Sequence, residues 1–326
     1  MRNAVVASVA EVASFVAGAA DGPGALRLDD VELRGEPKTV LKMTLALAAS
    51  ILLAASAEAA PVGKSADPAP VISAEHAFAA RAAVIGVAPS FLEFMTDDAI
   101  IFRPDPMLAR AVYGALPAPK LPRDGGTLLN WWPNFAGVAR SGDLGFTTGP
   151  ATVNGGPAGI FYFTVWVRQR DGGWKWIYDG GIDSDGSKAP GQDAAPIVLP
   201  PGDARSLAPD AAMQQVRTAE IALAVRAKSD VATAYKAVLA ADARVQGSAT
   251  GPAASPDAIG HELATRPKSI AFGPIGGSAS AAGDLAWTYG DARWDKGRGH
   301  YVRIWQRRAR KWVLVFDQII TVEKSS

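Results

Sequence analysis

The chain has 326 residues, 48% of them hydrophobic and 20% charged, and a formal net charge of +1. That length calls for about two domains with cores of their own, and the near-zero charge excludes the basic footprint of a nucleic-acid-binding protein. The lack of any cysteine excludes disulfides, thiol catalysis and thiolate metal sites together.

In chain order, residues 43–60 read MTLALAASILLAASAEAA. Lys38 and Lys42 precede an uncharged apolar run from Leu45 to Ala55, and Ala57-Glu58-Ala59 offers a small-x-small cleavage pattern. These are the three parts of a secretory signal peptide. The run is too short to cross a bilayer, which needs about 20 residues, so no membrane span is expected. Residues 1–42 carry six acidic side chains from Glu11 to Glu36, which does not suit a basic leader. They are read as a non-native extension, with translation starting at or near Met43. The product is expected to be exported, to the periplasm or outside the cell. Residues 60–72 are rich in Pro and Ala and are expected to be disordered.

A helix is expected over 73–88, with Ser73 as its N-cap and Gly86 and Pro89 breaking it. A short second helix follows over 90–95. Asp97-Asp98 turns into a strand at 99–102. Strands are then predicted at 135–139, 144–148, 160–170 and 174–179, with Gly-containing turns between them. In 160–170 both faces are largely apolar, with Phe161, Phe163, Val165 and Val167 on one and Tyr162, Thr164, Trp166 and Arg168 on the other. Such a strand must be covered on both sides. Residues 184–209, rich in Pro, Gly and Asp, read as a stiff exposed linker. Helices are then expected at 211–227 and 230–241, and strands at 270–273, 281–289, 300–307 and 311–322.

The second part of the chain restates the first. SGDLGFTTGP at 141–150 returns as AGDLAWTYGD at 282–291, and VWVRQRDGGWKWIYD at 165–179 as IWQRRARKWVLVFD at 304–317. Gly142 pairs with Gly283, Trp166 with Trp305, Trp174 with Trp312 and Asp179 with Asp317. Upstream, 91–101 matches 235–245, which sets Asp98 on Asp242. A period this long marks duplicated domains rather than a solenoid. Each copy runs helices first and then an antiparallel sheet, an α+β arrangement. The four repeated tryptophans are read as core.

The order F-L-x-F-x-x-D-D-A, then S-G-D-L-G-F-T-x-G, then V-W-V-R-Q-R-D-G-G-W-K resembles the nuclear-transport-factor-2-like superfamily. The likeness is greatest to the functionally unassigned bacterial branch grouped with SnoaL-like and ketosteroid-isomerase-like proteins. It covers 73–183 and, more weakly, 210–322. The resemblance implies two cone-shaped domains in tandem, each a curved antiparallel sheet closed by helices around an apolar pocket. It also implies sheet-to-sheet pairing, so the chain is expected to be a monomer containing an internal pseudo-dimer.

The resemblance further implies a carboxylate base and a Tyr, His or Asp acid inside a cone. The residues offering this are Asp98, Asp179 and Tyr162. Asp98, at a helix-to-strand turn, reads as a base or as an Asx-turn. Asp179 reads as a buried acid or as an arginine partner. Tyr162 reads as a donor to ligand or as packing. Positions that differ between the copies are where a ligand would be chosen, which selects His76, Arg103 and Trp131, the last as a pocket lip, together with Tyr162. His261 opens H-E-L-A-T, but Thr265 stands where a zinc helix needs its second histidine. No metal and no cofactor is expected. The reading is therefore an exported protein that binds a small apolar or aromatic ligand, or a partner, rather than an enzyme. One alternative is a cofactor-free lyase, isomerase or cyclase working in the first cone, and another is a structural envelope module.

Overall fold

A computed structural model describes residues 65–247 and 250–322, all within one compact unit. The expectations for 1–42 and 43–59 lie outside the described residues, as do residues 60–64 of the segment expected to be disordered; the rest of that segment departs from the expectation, being helical from Ala69 with Val71 buried. The first half runs α1 (Ala69–Ile85), α2 (Val87–Phe94), β1 (Met95–Phe102), β2 (Pro106–Leu108), α3 (Ala109–Gly114), β3 (Leu129–Trp131), β4 (Phe135–Val138), β5 (Leu144–Val153), β6 (Ala158–Arg168), β7 (Trp174–Asp183) and β8 (Ile197–Val198). The second runs α4 (Pro209–Ala227), α5 (Val231–Lys236), β9 (Leu239–Gln246), α6 (Pro256–Thr265), β10 (Ala271–Ala279), β11 (Leu285–Trp294), β12 (Gly297–Arg308) and β13 (Lys311–Val322). The fold is α+β.

Local chemistry moves several boundaries. α1 starts before Ser73, because the Ala69 N–H donates to Asp67 Oδ1 at 2.9 Å and Pro70 falls in the first turn, where a missing N–H costs nothing. Gly86, at φ 87, lets the chain leave α1 and enter α2 at once. The helix expected over 230–241 stops at Lys236, and β9 takes Leu239 onward. There the edge of the second sheet offers ladder hydrogen bonds that outweigh the helix propensity of an Ala-rich run.

Each sheet is mixed rather than wholly antiparallel. The first has the order β2-β1-β7-β6-β5-β4-β8, with β3 on β5, and the second has β10-β11-β12-β13-β9. β1 lies parallel to β7, and β9 parallel to β13. Parallel neighbours need a long crossover, and the whole intervening meander provides it in both halves.

The two sheets meet face to face. Phe163 stacks on Phe316 with centroids 4.0 Å apart and planes 8° from parallel. Phe146, Val165 and Tyr178 join Val302, Ile304 and Trp287 in the same buried cluster. The other face of β6 carries Thr164 and Trp166, also fully buried, so the two-sided apolarity of this strand is used. The repeated Gly-Asp-Leu motif serves the joint. Asp143 Oδ2 accepts from the Ala281 N–H at 2.8 Å, and Asp284 Oδ2 accepts from the Arg140 N–H at 3.1 Å. Each turn thus caps the other copy.

The Pro-rich segment 184–209 is not a free linker. β8 pairs with β4, Leu199 is buried between the sheets, and Gln306 donates to the Pro200 carbonyl at 2.8 Å. Asp203 closes the β12–β13 turn, where Ala309 and Arg310 take φ of 47° and 63°. Its two carboxylate oxygens accept from the Ala309 and Arg310 N–H groups at 2.8 and 2.7 Å. Asp203→Ala is therefore expected to lower stability by about 1–3 kcal/mol, read by urea unfolding. An unchanged midpoint would mean that water replaces the carboxylate.

Candidate functional site

The helices of each half lie over one sheet face, and that face carries a buried polar cluster. In the first half its centre is Glu75 on α1, fully buried. Glu75 shares an apolar helix face with Phe78, Ala79 and Ala82, so the helix that packs the core also carries the carboxylate inward. Glu75 accepts from Trp131 Nε1 at 2.5 Å, from Trp166 Nε1 at 3.1 Å and from the Thr147 hydroxyl. Burial raises its pKa, and these donors offset part of the rise.

The second half repeats this. Glu220 on α4 accepts from Trp305 Nε1 at 2.8 Å and from Thr288 Oγ1 at 2.6 Å. Register makes the two sets equivalent: Thr147 pairs with Thr164 and Thr164 with Asp179, while Thr288 pairs with Arg303 and Arg303 with Asp317. Even the bulge recurs, after Val165 and after Ile304.

One position breaks the equivalence: Thr164 stands where the second half has Arg303. Arg303 is fully buried and bridges both carboxylates, with Nη1 2.6 Å from Glu220 Oε2 and Nε 2.8 Å from Asp317 Oδ1. A second buried cation, Arg266 after α6, reaches Asp317 Oδ2 at 2.7 Å. Burial alone would lower the pKa of both guanidiniums, but the adjacent carboxylates outweigh it and hold them charged. In the first half no described ion pair reaches Glu75 or Asp179. Asp179 is held by Thr164 Oγ1 at 2.7 Å. Burial, with Glu75 nearby, pushes its pKa well above the ordinary carboxyl value, and the Thr164 hydrogen bond offsets part of the rise.

Asp179 is buried, with 9% of the residue exposed against 0% for Asp317. Around it are Tyr162, whose buried hydroxyl has no hydrogen-bond partner of good geometry, and Tyr113 on α3, within electrostatic reach of both Asp179 and Arg103. Arg103 is half-buried at the edge of this group. The floor below is aromatic: Phe78 lies 4.9 Å from Trp131 and 6.0 Å from Trp166, centroid to centroid. A neutral carboxyl and a free phenol in an apolar setting can donate to a ligand oxygen, and the carboxyl can release a proton.

The candidates of the sequence therefore separate. Asp179, Tyr162 and Arg103 come together. Trp131 is buried in the core and serves Glu75; it is not a pocket lip, because β3 pairs with β5 and turns the indole inward. Its register equivalent is Phe272, opposite Ala292 as Trp131 is opposite Ala151. His76 is exposed, one residue past Glu75 and so on the outer side of α1. Asp98 is exposed within β1, away from the cluster, and its counterpart Asp242 pairs with Arg308 at 2.7 and 3.0 Å. Of the four repeated tryptophans, Trp166 and Trp305 are fully buried, whereas Trp174 and Trp312 are half-buried at the core margins. His300 joins the halves: its Nε2 is 3.0 Å from Asp105 Oδ1, and its Nδ1 is 3.1 Å from Asp291 Oδ1, an ion-pair distance without hydrogen-bond alignment.

Glu75 and Glu220 escaped the sequence reading. Their signal was present: SAEHAFAARA at 73–82 against TAEIALAVRA at 218–227, a glutamate repeated on the apolar side of both opening helices.

The raised Asp179 pKa has a consequence for stability. A carboxyl whose folded pKa exceeds its unfolded value stabilises fully below the unfolded value, 3.8, and that contribution is lost as pH rises through the folded one. Asp179→Asn is expected to flatten the fall in unfolding free energy on raising pH above that point, leaving the slope due to Glu75. Urea titrations at stepped pH check this, and an unaltered slope would mean that Asp179 is ionised in the fold.

No protein-family model matches the sequence, and no curated protein matches it. Similar solved structures include nuclear-transport-factor-2-like, cystatin-like and ketosteroid-isomerase-like proteins. A cystatin-like-fold protein of unknown function from Nostoc punctiforme is 15% identical, with 34% of this chain and 92% of that chain covered and a TM-score of 0.30. A nuclear-transport-factor-2-like protein of unknown function from Pseudomonas putida is 15% identical, with 35% and 89% covered and a TM-score of 0.30. A ketosteroid isomerase-like protein from Erwinia carotovora atroseptica is 13% identical, with 34% and 96% covered and a TM-score of 0.30.

Proposed function

We propose that the first half binds a small apolar or aromatic ligand carrying a carbonyl or hydroxyl oxygen, and that the second half is a closed copy that supports it. The observation that carries this reading is the exchange of Thr164 for Arg303 at one register position. In the second half the charges are neutralised internally and the cluster is sealed. In the first half no described cation reaches Asp179, burial raises its pKa, and the Tyr162 hydroxyl nearby makes no hydrogen bond. Both are donors that a ligand oxygen would satisfy. Fluorescence titration with small aromatic ketones and phenols tests this, since Trp166 and Trp176 lie in the same cluster. Asp179→Asn combined with Tyr162→Phe should weaken binding at least about tenfold, roughly 1.4 kcal/mol. Equal affinity in the folded variant would sink the reading.

A second reading, a cofactor-free lyase, isomerase or cyclase, is favoured by the same buried carboxyl beside a free phenol, because that pair can exchange a proton with substrate. Turnover that disappears in Asp179→Asn while binding persists would distinguish it from simple binding. On either reading we place the domains at 73–183 and 210–322, and expect a monomeric chain whose two sheets act as an internal pseudo-dimer; a dimeric mass in light scattering would count against that. The signal-like segment 43–59 supports export. Intact mass of the exported product should begin near Pro61, and a product starting before residue 40 would contradict it.

A further inference from the structure

A cleft of about 820 Å³ opens between the halves, away from the Asp179 cluster. Phe135, Phe161 and Ile197 line it from the first half, and Arg244, Pro252 and Ala258 from the second. Its size falls within the usual range for small-molecule pockets, about 300–1,000 Å³. Arg244, on β9, is half-buried with its guanidinium carbon 4.8 Å from the Phe135 ring centroid. Its described hydrogen bonds go only to carbonyls of its own strand, Asp242 O at 3.1 Å and Ala243 O at 3.3 Å.

The nearby carboxylates are engaged elsewhere. Asp242 is bidentate to Arg308. Glu262, in the cleft wall, lies 3.8 Å from Arg266. Asp185 accepts from the Ser187 N–H at 2.9 Å. Lys188 and His261 stand at the rim and add no negative charge. Asp242 is within electrostatic reach of the Arg244 guanidinium, but no described carboxylate hydrogen-bonds to it, so it lacks the bidentate partner that its geometry suits. Burial accordingly lowers the Arg244 pKa, a cost that a bound anion would offset.

We infer that this inter-half cleft binds an apolar monocarboxylate, with the carboxylate on Arg244 and the apolar body against Phe135, Phe161 and Pro252. The site does not depend on the reading given to Asp179. Two features set its selectivity. The aromatic and proline surfaces favour an aryl or short aliphatic body, and Arg244, the cation held over the Phe135 ring, supplies one fork for one carboxylate, with Lys188 only at the rim.

The test is calorimetric titration of the whole chain with 2-naphthoate, octanoate and the neutral 2-naphthamide. Naphthoate or octanoate is expected to bind at least tenfold more tightly than the amide. Arg244→Gln should remove that preference, with Arg244→Lys retaining part of it. Ala258→Phe, which fills the cleft without touching Arg244, should weaken all three ligands, so the test survives a misfolded Arg244 variant. Asp179→Asn with Tyr162→Phe should leave carboxylate binding unchanged. Loss of binding in that pair, with Arg244→Gln behaving as wild type, would move the ligand to the first-half cone and overturn the proposal. Equal affinity for acid and amide, or no binding of either acid, would also overturn it.

Discussion

Arg303→Thr is expected to cost about 3–5 kcal/mol of unfolding free energy at neutral pH, the usual loss when one partner of a buried ion pair is removed. The substitution copies the first half, where threonine holds the same register position, yet it should not be neutral. Arg303 joins Glu220 to Asp317 and donates from Nη2 to the Tyr235 hydroxyl at 2.7 Å. Its guanidinium also lies 3.8 Å from the Tyr301 ring centroid. Removing it leaves Glu220 charged and fully buried with no cation, and Asp317 with Arg266 alone. The first half accommodates threonine because Glu75 has two indole donors and Asp179 accepts from Thr164 itself. The second half offers Phe272 in place of Trp131, so Glu220 has one indole donor fewer.

Glu220→Gln in the Arg303→Thr background should recover part of the loss at neutral pH, because the amide needs no cation. Urea midpoints of the single and double variants measure this. A double variant no more stable than Arg303→Thr would mean that the loss is one of packing rather than of charge.

Phe316→Ala is expected to cost about 3–5 kcal/mol, as for other fully enclosed phenylalanines, and to weaken the joint between the halves. Phe316 has no exposed surface and stacks on Phe163 across the two sheets. It also lies 6.5 Å from Phe146, centroid to centroid, so the hole left behind cannot close without moving two strands of the other sheet. A double-mutant cycle with Phe163→Ala should return a coupling of about 0.5–1.5 kcal/mol for the ring pair beyond the area each buries. A coupling near zero would show that the sheets move apart independently of this contact. Trp174→Ala and Trp312→Ala should cost less than either, because both indoles are only half-buried.

Duplication, the α+β class and the need to cover both faces of β6 were legible in the sequence. They rest on local repetition and on the two-residue period of a strand, which survive in any arrangement of the chain. Asp179 and Tyr162 could be named as candidates from the sequence because each sits in a strand-like run that recurs in the second copy, at Asp317 and Tyr301. The segment 184–209 is exposed along most of its length, as expected of a stiff linker, but its contacts with β4, Arg140 and Gln306 join residues distant in the chain and could not be read from it. Trp131 and His76 were misassigned together. Difference between the copies marked both as ligand-facing, but only the strand pairing of β3 turns the indole onto Glu75, and only the rotation of α1 turns the imidazole away. Glu75 and Glu220 carry no sign of function in isolation; a glutamate on an apolar helix face acquires meaning when donors from other elements close around it. The contrast between Thr164 and Arg303 belongs to the same class. In the sequence it is one difference among many, and the two sheets alone decide that it falls between two buried carboxylates, where a single cation pairs both in one half and a hydroxyl stands in its place in the other.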